Sequence, residues 1–271
     1  MRNGLAVILS TCVFASAGAV ARADNSVCEN ATLLVPDGSA QTGDLPVPGG
    51  PKWFRFVAKA DRSYAIMLEN LTSPDQQPAL GVTFITDSCG GPLLATNDTS
   101  SLYEPVTYDV TPPGVGAAGR ALKSPGNATV FFQVSHIFLT IENTSQFRIR
   151  VQETTQFNPL WSTAGGFETV FRLYNTTTTS AVHCSVTLDL RKDDNSPAAG
   201  ASSSVTFTLA GNHSVTRRTG AGGMGVLPGQ TGHAIITHDC PPGAIQVDAY
   251  MSALGGLAIL PLKVTTARQQ R

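Results

Sequence analysis

The sequence predicts an all-β protein built as two tandem β-sandwiches, and three observations carry that reading. Beyond residue 23, short runs rich in β-branched and aromatic residues recur between clusters of Gly, Pro, Asn and Asp. Several of these runs alternate apolar and polar residues with period two, the mark of a half-buried antiparallel strand. Helical periodicity is almost absent after the N-terminal segment. The length of 271 residues suits one large domain or two ordinary ones, and either can bury a real core.

The first element is a secretory signal peptide, residues 1–23. Arg2 gives a positive start, an uncharged and largely apolar stretch follows, and Ala21-Arg22-Ala23 supplies a small-x-small cleavage site. Small residues dilute its second half (Ala15, Ser16, Ala17, Gly18, Ala19), which separates it from a membrane anchor. Loss of Arg2 and Arg22 takes the formal net charge from −1 to −3. A slightly acidic chain lacks the basic patch that nucleic acid requires. No later apolar run reaches the roughly 20 residues of a spanning helix. The mature protein is expected to be secreted, in the periplasm or outside the cell, with no membrane span and no nucleic-acid partner.

Seven strands are expected in the first half, at 31–35, 53–58, 63–71, 80–86, 106–110, 129–135 and 146–151. In the second of these Trp53, Arg55 and Val57 face one way and Phe54, Phe56 and Ala58 the other; Phe147, Ile149 and Val151 alternate with Arg148 and Arg150 in the last. A break falls at 153–159, and the unpatterned stretch 154–158 reads as a boundary between domains at 24–153 and 157–271, expected to fold separately. Seven more strands follow at 167–174, 182–190, 205–209, 213–217, 234–238, 245–251 and 257–264. That number and spacing fits an immunoglobulin-like sandwich.

Cys12 leaves with the signal, so Cys28, Cys89, Cys184 and Cys240 remain. An even count in an exported chain implies disulfides. Two cysteines lie in each half, which favours Cys28–Cys89 and Cys184–Cys240. A zinc site from His183, Cys184, His238 and Cys240 is disfavoured, because adjacent residues of a strand point to opposite faces. Asn-x-Ser/Thr occurs at Asn30, Asn70, Asn97, Asn127, Asn143, Asn175 and Asn212. In a eukaryotic source these would accept glycans; the preferred reading is turn chemistry.

Laid out this way, the first half resembles the bacterial pre-peptidase C-terminal domain over roughly residues 25–153. The resemblance rests on Asn25-Ser26-Val27-Cys28-Glu29-Asn30-Ala31-Thr32, the aromatic strand Lys52-Trp53-Phe54-Arg55-Phe56, the turn Ala60-Asp61-Arg62-Ser63-Tyr64, and the loop Leu94-Ala95-Thr96-Asn97-Asp98. Two departures stand out: Lys52 where the family carries an acid, and an apolar insertion, Ile137-Phe138-Leu139-Thr140-Ile141. The resemblance implies a small jelly-roll-like sandwich with no catalytic residues of its own, serving secretion, folding or substrate binding. The second half is similar to a β domain of bacterial exported proteins, through Trp161-Ser162-Thr163-Ala164-Gly165-Gly166-Phe167-Glu168-Thr169, Tyr174-Asn175-Thr176-Thr177 and His238-Asp239-Cys240-Pro241-Pro242-Gly243-Ala244-Ile245. That similarity implies export and architecture only.

Chemistry-bearing motifs are sparse. The chain has no Gly-x-Ser-x-Gly, His-Glu-x-x-His or Walker loop. The glycine-rich run Gly220-Ala221-Gly222-Gly223-Met224-Gly225 opens no predicted helix, and His238-Asp239 reads as a strand end entering a turn. The one cofactor the residues could take is calcium, through Asp87, Asn97 and Asp98 as hard oxygen ligands. Trp53 is expected in the core. Trp161, between Asn158-Pro159-Leu160 and Gly165-Gly166, is expected on a loop, where with Tyr174 it could hold a protein or carbohydrate ligand. The function expected is a non-catalytic binding or structural module; the alternative is a secreted, peptidase-associated hydrolase with an unrecognised site.

Overall fold

The computed structural model describes residues 24–46, 49–71, 80–91, 106–110, 117–124, 127–136, 144–178, 183–253 and 259–266. The expected signal segment lies outside them. Apart from a 3-10 turn at Cys28–Asn30, every element among the described residues is a strand. The protein is all-β.

In the first half these are β1 (Thr32–Leu33), β2 (Asp37–Leu45), β3 (Lys52–Ala58), β4 (Arg62–Asn70), β5 (Leu80–Thr86), β6 (Val106–Val110), β7 (Ala117–Ser124), β8 (Ala128–His136) and β9 (Ser145–Glu153). They form a sheet in the order β1-β3-β8-β5 and a second in the order β2-β9-β4-β7-β6. The two sheets face each other across one apolar core, to which β3 gives Phe54 and Phe56, β8 gives Phe132, β4 gives Tyr64 and Ile66, and β9 gives Phe147 and Ile149. The alternation expected in β3 and β9 holds: Phe54, Phe56 and Ala58 are buried and Val57 is 54% exposed. Phe54, Phe56, Tyr64, Phe132 and Phe147 form a connected ring cluster with centroids 5.2–6.4 Å apart, each pair adding about 1 kcal/mol to the area it buries. Trp53 differs from expectation: it shares the outward face with Arg55 and Val57 and is only half-buried.

The second half carries β10 (Gln156–Ser162), β11 (Phe167–Asn175), β12 (His183–Lys192), β13 (Ser204–Ala210), β14 (Ser214–Arg218), β15 (Thr231–His238), β16 (Ile245–Ala253), β17 (Ile259–Leu262) and β18 (Thr265–Thr266). Their sheets run β13-β12-β15-β10-β18 and β14-β11-β16-β17, closing over a second core that includes Trp161, Phe171, Val186, Leu188, Ile236 and Ile245. Each core is thus built from one contiguous stretch of chain.

Both cysteine pairs are bonded. Cys28 joins Cys89 with Cα atoms 5.5 Å apart, tying the segment before β1 to the turn after β5, at the opposite edge of the same sheet. Cys184 joins Cys240 with Cα atoms 5.4 Å apart. Val186 pairs with His238, so these cysteines lie two residues further along the same register, joining neighbouring strands of one sheet. The sulfurs are therefore not free for zinc, and His183 is exposed while Cys184 is buried.

The boundary stretch is more ordered than its pattern predicts: residues 154–158 read as unpatterned in the sequence, yet only Thr154 and Thr155 separate β9 from β10, and both are buried. Their hydroxyls are engaged: Thr154 donates to Ser63 Oγ at 2.9 Å, and Thr155 Oγ1 accepts the Ser63 N–H at 3.0 Å. From the second half, the His238 N–H reaches Ser63 Oγ at 3.3 Å. Arg62 lies 4.1 Å over the Phe157 ring and 3.7 Å from Glu153, and Arg191 pairs with Asp61 at 3.5 Å. Pro159 is accommodated inside β10 because the register slips between Asn158 and Trp161, a bulge where no ladder N–H is needed.

His238 makes this junction sensitive to acid. Burial pushes its imidazole from 6.5 down to about 4, against opposing hydrogen bonds to the backbone of Cys240 and Thr154. The folded state therefore favours the neutral ring. Its contribution is complete above pH 6.5, is lost as pH falls from 6.5 towards 4, and levels off below. The full loss is about 3 kcal/mol. In urea titrations, the stability gap between the native protein and His238→Gln is expected to narrow by about that amount between pH 7 and pH 4. A gap that stays constant across that range would refute the assignment.

Candidate functional site

The first sandwich is open along one edge, and the cause is strand length. β2 spans nine residues at the edge of its sheet, while the strand facing it, β1, has two. Among the described residues the inward side of β2 therefore has little to cover it. In the β2–β9 register Gln41 sits opposite Ile149, a core residue, which points Gln41 inward; Gln41 is nevertheless exposed. A groove of about 1020 Å³ occupies this gap.

The aromatic rings of Phe54 and Phe147 form its floor, packed edge to face with centroids 6.0 Å apart. Gly43 lets the β2 backbone lie directly on that floor, since a Cβ there would stand 2.6 Å from the Phe147 ring. The rim is polar. Asp24 accepts the Ser26 hydroxyl at 3.0 Å and the Ser26 N–H at 3.1 Å, and lies 3.6 Å from Lys52 Nζ. Those two hydrogen bonds, and then the Lys52 charge, hold its carboxyl below the usual carboxylate value. Asp44 sits exposed on the opposite wall, and Leu33, 52% exposed, adds an apolar shoulder. Such a site offers shape, an apolar floor, hydrogen-bonding groups and charge.

The groove's position in the molecule is set by β9. Thr144, just before that strand, and Phe147, near its start, line the groove, and its last residue, Glu153, pairs with Arg62, which stacks over Phe157 at the junction. A smaller crevice of about 250 Å³ lies at the junction itself. Arg191 there is held by Asp189 at 2.6 Å and by Asp61 at 3.5 Å, so its charged groups engage one another.

The residues singled out in the sequence fall elsewhere. Trp161 corrects the expectation of a loop: it is 0% exposed, inside the second core, with its Nε1–H shared between the Arg191 and His233 carbonyls at 2.9 Å each. Tyr174 lies half-buried on the outer face of the opposite sheet, its hydroxyl donating to Asn212 Oδ1 at 2.5 Å. The two therefore do not share a surface. Asp87 is exposed and accepts the Ser88 hydroxyl at 3.1 Å; Asn97 and Asp98, its suggested partners for calcium, lie outside the described residues. Among the described residues no three His, Cys, Asp or Glu side chains group as metal ligands. Of the sequons, Asn30, Asn127 and Asn212 are exposed, whereas Asn70 is buried and Asn175 is wholly buried, donating to the Leu209 carbonyl and the Cys184 sulfur.

Ser63, His238 and Asp239 do approach one another, without the geometry of a triad. Ser63 meets the main-chain N–H of His238, His238 Nδ1 accepts the Cys240 N–H at 3.3 Å, and Asp239 turns away to take the Ser185 N–H at 2.7 Å. All three residues are buried. The sequence marked Phe54 and Phe147 only as strand residues and Asn25 to Thr32 only through the family resemblance; Gly43 and Asp44, on β2, carried no signal that joins them to the others. No protein-family model matches the chain, and no curated protein is significantly similar to it.

Proposed function

We propose that this chain is an exported, non-catalytic binding module that holds its ligand in the open groove of the first sandwich. The observation that carries the reading is the inward side of β2, uncovered among the described residues, with Gln41 facing into a gap of about 1020 Å³ above two aromatic rings. A sandwich that only needed to be stable would cover that side. The bonded cysteine pairs suit an oxidising compartment, periplasmic or extracellular. The resemblance to the pre-peptidase C-terminal domain adds a substrate-holding role in company with exported enzymes.

The test is a chemical-shift titration of the isotope-labelled protein, produced from the full chain, against soluble oligosaccharides and short peptides. At least one ligand class is expected to shift the amides of Thr32, Leu33, Gln41, Gly43 and Lys52 together. Turnover of any panel member, visible as product signals in the same spectra, would overturn the non-catalytic reading. Shifts confined to other surfaces would overturn the groove.

A further inference from the structure

We infer that the ligand of the groove is an uncharged oligosaccharide, recognised by side chains alone, with Thr32 and Gln41 meeting its hydroxyl groups above the Phe54 and Phe147 rings. The inference rests on the binding-module reading and names its ligand class. Register sets the inward walls. Thr32 pairs with Phe54 in the parallel β1–β3 ladder, so the two side chains share the inward face. Gln41 reaches the same space from β2, opposite Ile149, and Asn30 and Thr144 line it. Among the described residues none of these four side chains makes a hydrogen bond. Two amides and two hydroxyls each donate and accept, which is also the character of a sugar hydroxyl.

Main-chain groups and charges around the groove are engaged elsewhere. The Trp53 N–H donates to the Asn25 carbonyl at 2.7 Å, and the Asn25 amide donates to the Trp53 carbonyl at 3.0 Å. The Leu34 N–H donates to the Arg55 carbonyl at 2.8 Å on the same edge of β3. On the far wall β2 slips in register between Asp37 and Ala40, the Asp37 N–H donates to the Val35 carbonyl at 2.8 Å, and the Asp37 carboxylate takes the Ser39 N–H at 2.8 Å. A peptide laid along either wall would find few of the backbone partners that strand addition needs. Asp24 and Lys52 face each other at 3.6 Å and offset each other's charge. Asp44 pairs with Gln146, one residue from the inward pair Gly43 and Phe147, so its carboxylate stands on the outer face of the sheet. A charged ligand would therefore lose hydration without gaining a free counter-charge. A sugar brings C–H faces to the rings and to Leu33 and Pro46, and hydroxyls to the four polar side chains. A volume of about 1020 Å³ is at the upper end for pockets that bury a drug-sized molecule, so several linked rings fit.

The probes are cellotetraose, maltotetraose and xylotetraose as uncharged ligands, with tetragalacturonate and protonated tetraglucosamine as charged counterparts, followed through the amide shifts of the isotope-labelled protein. At least one uncharged probe is expected to shift the Thr32, Leu33, Gln41 and Gly43 amides together, and to bind about ten-fold or more tightly than either charged probe. High salt should leave its affinity unchanged, because no charge is read. Thr32→Val and Gln41→Ala remove polar atoms that hold nothing in the free protein. Each is expected to keep the native melting temperature and to weaken that probe about five-fold, the loss of one hydrogen bond. Unchanged binding in both variants would overturn the inference, as would charged probes that bind as tightly as uncharged ones. Groove amides that answer a short peptide and none of the uncharged saccharides would overturn this inference alone. Amides that answer no ligand of either class would overturn the binding-module reading with it.

Discussion

Trp161→Ala is expected to lower the unfolding free energy by about 4 kcal/mol, the largest single-residue loss in the second half. The indole is fully buried in the core with Phe171, Leu188 and Ile236, and alanine would leave a cavity the size of its two rings. Its N–H also closes a three-strand junction. Trp161 on β10 sits opposite Gly232 on β15, while Arg191 on β12 pairs with His233, and the indole donates to both the Arg191 and His233 carbonyls. Gly232 permits this convergence, because a Cβ there would run into the Arg191 carbonyl. Trp161→Phe keeps most of the volume and forfeits the donor, so its cost is expected to be about 1–2 kcal/mol. Urea unfolding of both variants, followed by far-UV circular dichroism, provides the comparison. An alanine variant as stable as the native protein would mean that the side chain is not in the core. Groove binding should survive in the folded fraction of either variant.

Removing the Cys184–Cys240 bond is expected to cost about 4 kcal/mol, the chain-entropy value for closing a loop of this length; the two cysteines are 56 residues apart. The double variant Cys184→Ser/Cys240→Ser measures it without leaving a lone thiol. Asn175 adds to the effect, since its buried amide donates both to the Leu209 carbonyl and to the Cys184 sulfur. A hydroxyl at position 184 would change that second contact. Loss of less than about 1 kcal/mol would show that the unfolded chain gains little from release of this loop. Two thiols titrating at these positions in the unreduced, unfolded protein would show that the bond is absent.

The parts of the fold legible in the sequence are those where one face of a strand is buried in large apolar side chains. β3, β9 and β12 announce themselves because Phe54 and Phe56, Ile149 and Val151, and Val186 and Leu188 fall at alternate positions and all enter a core. β2 escapes the same reasoning. Leu45 is its single large apolar residue, since its inward side faces a groove where the other strands meet a core. β7, with Ala-Ala-Gly-Arg-Ala-Leu-Lys-Ser, is hidden by small residues. At β10 the turn-like string Asn158-Pro159-Leu160 is a bulge inside a strand, and misreading it placed Trp161 on a loop. The groove was illegible for a further reason: it arises from the shortness of β1 against β2, and relative strand length is settled only when distant segments pair.

The run from Ser145 through Thr154 and Thr155 to Ser162 belongs to both sandwiches, with only those two threonines lying outside a strand. Nine residues of β9 separate the groove end from the junction, about 30 Å of extended chain. A flexible tether lets a bound ligand explore a volume set by linker length. A continuous ribbon with a buried connection instead works as a spacer of set length. Whatever the groove grips would be carried at one distance and one heading from the second sandwich, so the spacing of two targets, as well as their identity, would decide whether both can be engaged at once.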